Sequence, residues 1–173
     1  MAKQYSNEEM EQIVDKFKKR SLEELDGIFA RGALLSFEEF QGETFGAFLA
    51  QNPKNSRLIR WGVKLLFESP FGRWKGKKFR SPFGQEKIGR GVNLFDNKIS
   101  PERFRFHTYI KPSFYDGKPC LALDYNPYFS LMWGLIDDVR EIGNGVLLGQ
   151  MYYKFPLRKE PRFLGYFILL TIS

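Results

Sequence analysis

The single histidine, His107, and the single cysteine, Cys120, bound the chemistry open to this 173-residue chain. One imidazole and one thiol leave no multi-cysteine zinc or iron–sulfur site and no two-histidine metal centre. No metal and no cofactor is expected. A Ser-His-Asp or Cys-His arrangement would have to use His107. That residue sits in a period-2 run in which Phe104, Phe106 and Thr108 alternate with Arg103, Arg105 and His107. The alternation places it opposite the phenylalanines, as a solvent-facing strand histidine unless that face lines a barrel. Cys120 opens the apolar run Cys120-Leu121-Ala122-Leu123 and reads as an inert core thiol. What remains is a set of polar residues embedded in apolar strands: Lys77, Arg90, Asn93, Asp124-Tyr125, Asp137-Asp138-x-Arg140-Glu141 and Gln150. Asp138 and Arg140 share one strand face; Asp137, Val139 and Glu141 share the other. Any of these charges that points into a core must be paired, because an isolated buried charge is costly. The set could hold the polar end of an apolar ligand, with Asp124, Tyr125, Asp137 and His107 as candidate acid–base groups. Its alternative is a salt-bridge ladder between surface strands.

Strands must position these residues, and helices precede them. Asn7 can cap a first helix whose Met10, Ile13, Val14 and Phe17 form one stripe, and Ser21-Leu22-Glu23-Glu24 is a capping box for a second with Leu22, Leu25 and Phe29 on one face. Residues 1–35 thus form a helical segment. The Phe-rich, Gly-broken stretch 40–48 reads as a first strand. After the breaker Asn52-Pro53, Ser56 caps a short helix over 56–68 in which Leu58, Trp61 and Leu65 share a face and Arg57, Arg60 and Lys64 take the others. Strands follow at 73–79, 91–95, 103–108, 120–123, 136–142, 146–155 and 162–172. Their turn signals are Asp96-Asn97-Lys98, Asp116-Gly117 and Gly143-Asn144-Gly145. Ser69-Pro70-Phe71-Gly72 recurs as Ser81-Pro82-Phe83-Gly84, which suits one strand bracketed by two turns. Gly89-Arg90-Gly91 has neither dinucleotide nor P-loop spacing, and no helix follows it. Short strands at close spacing predict a mainly β, antiparallel barrel, ahead of a sandwich, over 37–173 of a single domain spanning 1–173.

The net charge of +7 is unevenly placed. Residues 54–90 hold 11 Lys and Arg against 2 acidic residues, interleaved with Trp61, Phe67, Phe71, Trp74, Phe79 and Phe83. Nucleic acid or an anionic membrane surface could use that combination. The helix-core and strand-core spacing of the rings argues instead that most are buried beneath a solvated basic face. The N-terminus lacks the apolar region of a signal peptide, and no stretch reaches the ~18 apolar residues of a spanning helix. With one unpaired cysteine, a cytoplasmic protein is expected.

The order Gly72-x-Trp74-x-Gly76-Lys77-x-Phe79, Gly89-x-Gly91-x-Asn93, Asp116-Gly117, Leu123-Asp124-Tyr125, Asp137-Asp138-x-Arg140 and Gly145-Val146-Leu147-Leu148-Gly149-Gln150 resembles a group of bacterial proteins of unassigned function. It is similar, more loosely, to the GXWXG domain family. The resemblance covers 70–170 and implies a lipocalin-like, calycin-type barrel. In lipocalin-type barrels a Gly-x-Trp begins the first strand, and its indole packs under the core with a cation over the ring. No activity and no catalytic residue carries over. The positions it marks are Trp74, Lys77, Asn93, Asp124, Tyr125, Arg140 and Gln150. The expected function is binding of a small hydrophobic molecule, such as a fatty acid or terpenoid, in a Phe-rich cavity, with Lys77, Arg90 or Arg140 holding an anionic or polar head. The alternatives are a cofactor-independent lyase, isomerase or cyclase in the same cavity, or a nucleic-acid or anionic-membrane adaptor acting through 54–90.

Overall fold

Two reciprocal capping boxes start the chain. Ser6 accepts from the Glu9 amide while Glu9 accepts from the Ser6 amide, which begins α1 (Asn7–Lys18); Ser21 and Glu24 do the same for α2 (Leu22–Arg31). The cap of α1 is therefore Ser6, one residue before the expected Asn7; serine has an extended backbone here and Asn7 is already helical. The structure, a computed structural model, describes residues 5–34, 42–69, 72–80, 88–128 and 130–172. The second Ser-Pro-Phe-Gly copy and the expected start of the first strand at 40 lie outside them.

The remaining elements are β1 (Gly42–Gln51), α3 (Arg57–Phe67), β2 (Glu68–Ser69), β3 (Gly72–Arg80), β4 (Gly89–Phe95), β5 (Glu102–Pro112), β6 (Pro119–Asp124), β7 (Leu135–Gly143), β8 (Val146–Tyr153) and β9 (Arg162–Thr171). The sheet runs β1-β9-β8-β7-β6-β5-β4-β3-β2, every pairing antiparallel, and β1 also pairs with β3. That last pairing closes eight strands into a barrel, consistent with a lipocalin-like one, and leaves the two-residue β2 as an appendage. The Gly-x-Trp strand is β3, the second strand of the barrel rather than the first, because β1 precedes it.

The interior is filled by side chains from all around the barrel, among them Phe79, Phe106, Leu123, Val139, Leu147 and Phe167. Outside, α1 covers Ile168 and Leu170 with Met10 and Val14, and α2 covers Leu148 and Tyr166 with Leu25 and Phe29. The strands of this half of the barrel are therefore apolar on both faces, which is why β8 and β9 read as continuous apolar runs. The third helix has a different task. It connects β1 to β3 across one end of the barrel and buries Val63, with Ile59, Leu66 and Phe67 half-buried against the core. The stripe expected to face inward, Leu58, Trp61 and Leu65, faces out instead. Both stripes are apolar, so periodicity alone cannot choose between them.

Of the register shifts in the sheet, those in β3 and β5 bear on the barrel interior. In β3 the register shifts between Trp74 and Gly76, so Trp74 and Lys77, three residues apart, are both buried in the barrel. In β5 Phe104 is the extra residue opposite the Val92/Asn93 step and has φ of 56°, so the expected strict period-2 run breaks there.

Candidate functional site

At the centre of the barrel lies a buried polar cluster in an otherwise aromatic environment. Lys77 Nζ donates to Asn93 Oδ1 at 2.9 Å and to the Tyr125 hydroxyl at 2.5 Å, and lies 3.2 Å from Asp137 Oδ2. Asn93 Oδ1 also accepts from the Trp74 indole N–H at 3.0 Å. Its amide donates to Tyr125 OH at 3.0 Å and to the carbonyl of the bulged Phe104, also at 3.0 Å. Four rings surround the ammonium, those of Trp74, Phe106, Tyr125 and Phe167, with centroids 5.0–5.5 Å away. Lys77 itself is anchored at the barrel seam. Its amide donates to Thr44 Oγ1 at 3.0 Å, and that hydroxyl donates back to the Lys77 carbonyl at 2.8 Å.

The electrostatics follow from burial. Removal from water pushes the Lys77 amine down and the Asp137 carboxyl up, each shift opposed by the partner's charge. Burial, reinforced by Asp137, pushes the Tyr125 phenol well up. The Lys77 amine and the Asp137 carboxyl are thus drawn closer together in proton affinity than in water, while the Tyr125 phenol holds its proton more tightly. Among the described residues, Asp137 Oδ1 has no hydrogen-bond partner although it is buried.

The cluster borders a cavity of about 20 Å³, room for about one water. Its remaining wall is Leu66, Phe67, Phe95, Met132, Leu135, Met151 and Phe167. Beyond Leu66, Phe95, Met132 and Leu135 opens an apolar cleft of about 710 Å³ between α3 and the loops, bordered by Ile59, Trp61, Leu65, Leu131, Phe155 and Leu164. The expected single enclosed Phe-rich cavity is therefore two spaces, a small polar one and a large open one, sharing an apolar partition. The sequence reading missed Leu66, Met132 and Met151. Only the i, i+4, i+7 spacing of Ile59, Val63 and Leu66, starting one residue after the Leu58 stripe, signalled that α3 has two apolar faces.

Of the residues singled out above, Trp74, Lys77, Asn93, Tyr125 and Asp137 meet in this cluster. The others do not. Arg90 is on the outer face of β4. Asp124 lies on the opposite face of β6 from Leu123 and Tyr125, where it accepts from Tyr109 at 2.9 Å and from Asn126. His107 is half-buried beside Asp124 and edge-on to Tyr128, ring centroids 5.1 Å apart. Gln150 lies outside the barrel under α2, bonded to Tyr152 and Tyr166, and Tyr166 in turn donates to Asp26. Arg140 is also outside, since Asp137 faces in and the strand alternates. Cys120 is buried, and burial pushes its thiol up to about 12.

Arg140 is a structural clamp. It holds Asp116 through two hydrogen bonds of 2.6 and 2.9 Å, bonds the carbonyls of Phe29, Lys118 and Pro119, and stacks over the Phe29 ring. These bonds tie α2, the β5–β6 turn and β7 together. The Arg140 hydrogen bonds hold the Asp116 carboxyl below its ordinary value of 3.8. The unfolded chain therefore takes up a proton at Asp116 before the folded one does. This stabilisation is present above about pH 4 and fades as pH falls through the folded value. Urea titrations should show wild type more stable than Asp116→Asn at pH 7, with the gap narrowing below about pH 4; a gap that does not vary with pH would contradict the clamp.

The basic stretch is partly neutralised. Lys64 pairs with Glu68, Lys75 with Asp96, Lys78 with Glu43 and Glu102, and Arg80 with Glu102. Of the rings in this stretch Trp74 and Phe79 are buried, Phe67 is half-buried and Trp61 is exposed, while Phe71 and Phe83 lie outside the described residues.

No protein-family model matches the chain, and no curated protein matches it. Its fold is similar to that in a crystal structure of a protein from Thermomonospora curvata, at 16% identity over 96% of this chain and 97% of that one, with a TM-score of 0.53. At that identity the likeness concerns the fold alone.

Proposed function

We propose that the barrel binds a small, mostly apolar molecule bearing a neutral hydrogen-bonding group, with its body in the cleft beside α3 and its polar end at the Lys77–Asp137 cluster. The observation that carries this reading is the buried, unpartnered Oδ1 of Asp137, a residue that lines the small cavity. Lys77 directs its ammonium at Asn93, Tyr125 and Asp137, so the open valence of the site is an acceptor. It calls for a donor, such as a hydroxyl, and its negative charge disfavours a carboxylate. A terpenoid-type alcohol therefore suits the site better than a fatty-acid anion. The cleft volume falls in the ~300–1,000 Å³ range of small-molecule sites. Entry of the polar end requires Leu66 and Met132 to move aside.

Native mass spectrometry of the purified protein, followed by solvent extraction, tests for a carried molecule. Nile red then serves as the neutral apolar probe. Saturable one-to-one binding is expected, with farnesol displacing the dye about 10-fold better than palmitate, a difference of about 1.4 kcal/mol. Leu66→Trp, which fills the partition, should abolish displacement without unfolding the barrel. No saturable dye binding, or palmitate competing as well as farnesol, would remove this reading.

A second reading uses the same groups as cofactor-independent lyase, isomerase or cyclase catalysts. The Lys77 amine, lowered by burial and 2.5 Å from the Tyr125 hydroxyl, supports it as a proton relay. Under this reading an added terpenoid alcohol is recovered altered; under the first it is recovered unchanged.

A further inference from the structure

All strand ends at the α3 side of the barrel are joined by four connections: 52–71, 96–101, 125–134 and 154–161. Each presents bulky apolar side chains to solvent. Leu58 (76% exposed) and Trp61 (61%) come from α3, Ile99 (96%) from the second connection, Leu131 (83%) and Trp133 (45%) from the third, and a fully exposed Leu157 from the fourth. Among the described residues, every large apolar side chain more than 60% exposed lies at this end. The same four connections hold eight Lys and Arg against three Asp and Glu, a net +5 out of the chain's +7. The two described turns at the other end, 113–118 and 143–145, hold one Lys and one Asp.

We propose that this end of the barrel docks on an anionic lipid bilayer surface. Isolated exposed apolar residues need no explanation, but a ring of them around one end, mixed with unbalanced positive charge, does. Aliphatic tips and two tryptophans can enter the headgroup region, while Lys and Arg stems lie along it and place their charges among lipid phosphates. The charge argues against the other occupants. A second copy would bring +5 against +5 across the interface. Nucleic acid would satisfy the cations but gives Leu58, Ile99, Leu131 and Leu157 nothing to stack on. A bilayer answers both features together. The apolar cleft opens at this same end, bordered by Trp61, Leu65, Leu131 and Phe155, so docking would put the cleft in contact with the lipid. The inference rests on the surface alone and stands whether or not Nile red binds in the cleft.

The test is co-sedimentation of the full chain with vesicles of phosphatidylcholine containing about 30% phosphatidylglycerol, and with pure phosphatidylcholine, in about 0.1 M salt. Binding at least about 10-fold tighter to the anionic vesicles is expected, with a blue shift of tryptophan emission and weakening in about 0.5 M salt. Leu131→Glu/Leu157→Glu and Arg57→Glu/Arg60→Glu should each weaken binding about 10-fold. These side chains are exposed, so the thermal midpoint should stay put and report an intact fold. Four results would each overturn the proposal: no binding to anionic vesicles, equal binding to both vesicle types, a Leu131→Glu/Leu157→Glu variant that binds like wild type, or a concentration-dependent dimer that this variant abolishes. Retention of a single-stranded oligonucleotide that falls with the arginine variant but not with the leucine variant would also overturn it, in favour of nucleic acid.

Discussion

Asp137→Leu alone should cost the barrel about 3–5 kcal/mol in urea unfolding, and adding Lys77→Met should recover most of that loss. The argument is the asymmetry of buried pairs. Lys77 and Asp137 are 3.2 Å apart and both almost wholly buried, so each charge is compensated mainly by the other. Removing one leaves an ammonium inside a cage of four rings with only Asn93 and Tyr125 to accept from it. Replacing both leaves an apolar interior of similar volume. The single variant also carries a pH signature. Without Asp137, the partner charge that holds Lys77 up is gone and its folded-state value drops further below the ordinary 10.5. The unfolded chain then binds the extra proton, so the variant gains stability as pH rises toward about 10. Single and double variants that are equally unstable would show that Asn93, Tyr125 and Trp74, rather than the ion pair, organise the interior.

Gly76→Ala should cost about 4 kcal/mol or prevent folding. Gly76 has φ of 147°, and a Cβ there would lie 2.0 Å from the Thr44 carbonyl oxygen and 2.9 Å from the Gly46 nitrogen. Both obstacles are backbone, and both belong to the strand that closes the barrel, so relief means parting β1 from β3. That seam is short, two register pairs supported by the Thr44–Lys77 exchange and the Lys78–Glu43 ion pair. Amide exchange in β1 and β3 of any folded variant should be faster than in β8 and β9. Gly62→Ala is the control. An added Cβ there meets nothing within 4 Å in α3, so helix propensity alone should raise stability by about 0.5–1 kcal/mol. A tolerated Gly76→Ala would mean that the close approach is not needed for closure.

Much of the architecture was legible because its signals are local. Capping boxes, the Ser56 cap, Gly-rich hairpin turns and short apolar runs each act within a few residues and each marked an element, although β1 and β5 run on to Gln51 and Pro112, past the expected 48 and 108. Candidate-site membership was less legible. Asp137 and Arg140 were singled out together, although strand alternation already sets them on opposite faces, and Arg140 went to the clamp under α2. Asp124 and Tyr125 are adjacent, so only one could face in. Trp74 and Lys77 show the reverse: three residues apart, they would be separated by regular alternation, and the bulge at Gly76 brings both inside.

Composition and spacing alone thus determined a mainly β chain with a helical start, a lone core thiol, no multi-cysteine or two-histidine metal site, and a short roster of polar residues. Which of them meet was a matter of pairing register, because one bulge reverses the facing of every residue beyond it and is stabilised by a strand some thirty positions away in the sequence. The same holds for α3. Its two apolar stripes are equivalent on a helical wheel, and only closure of the barrel beneath it decides that Ile59, Val63, Leu66 and Phe67 are covered while Leu58, Trp61 and Leu65 meet solvent.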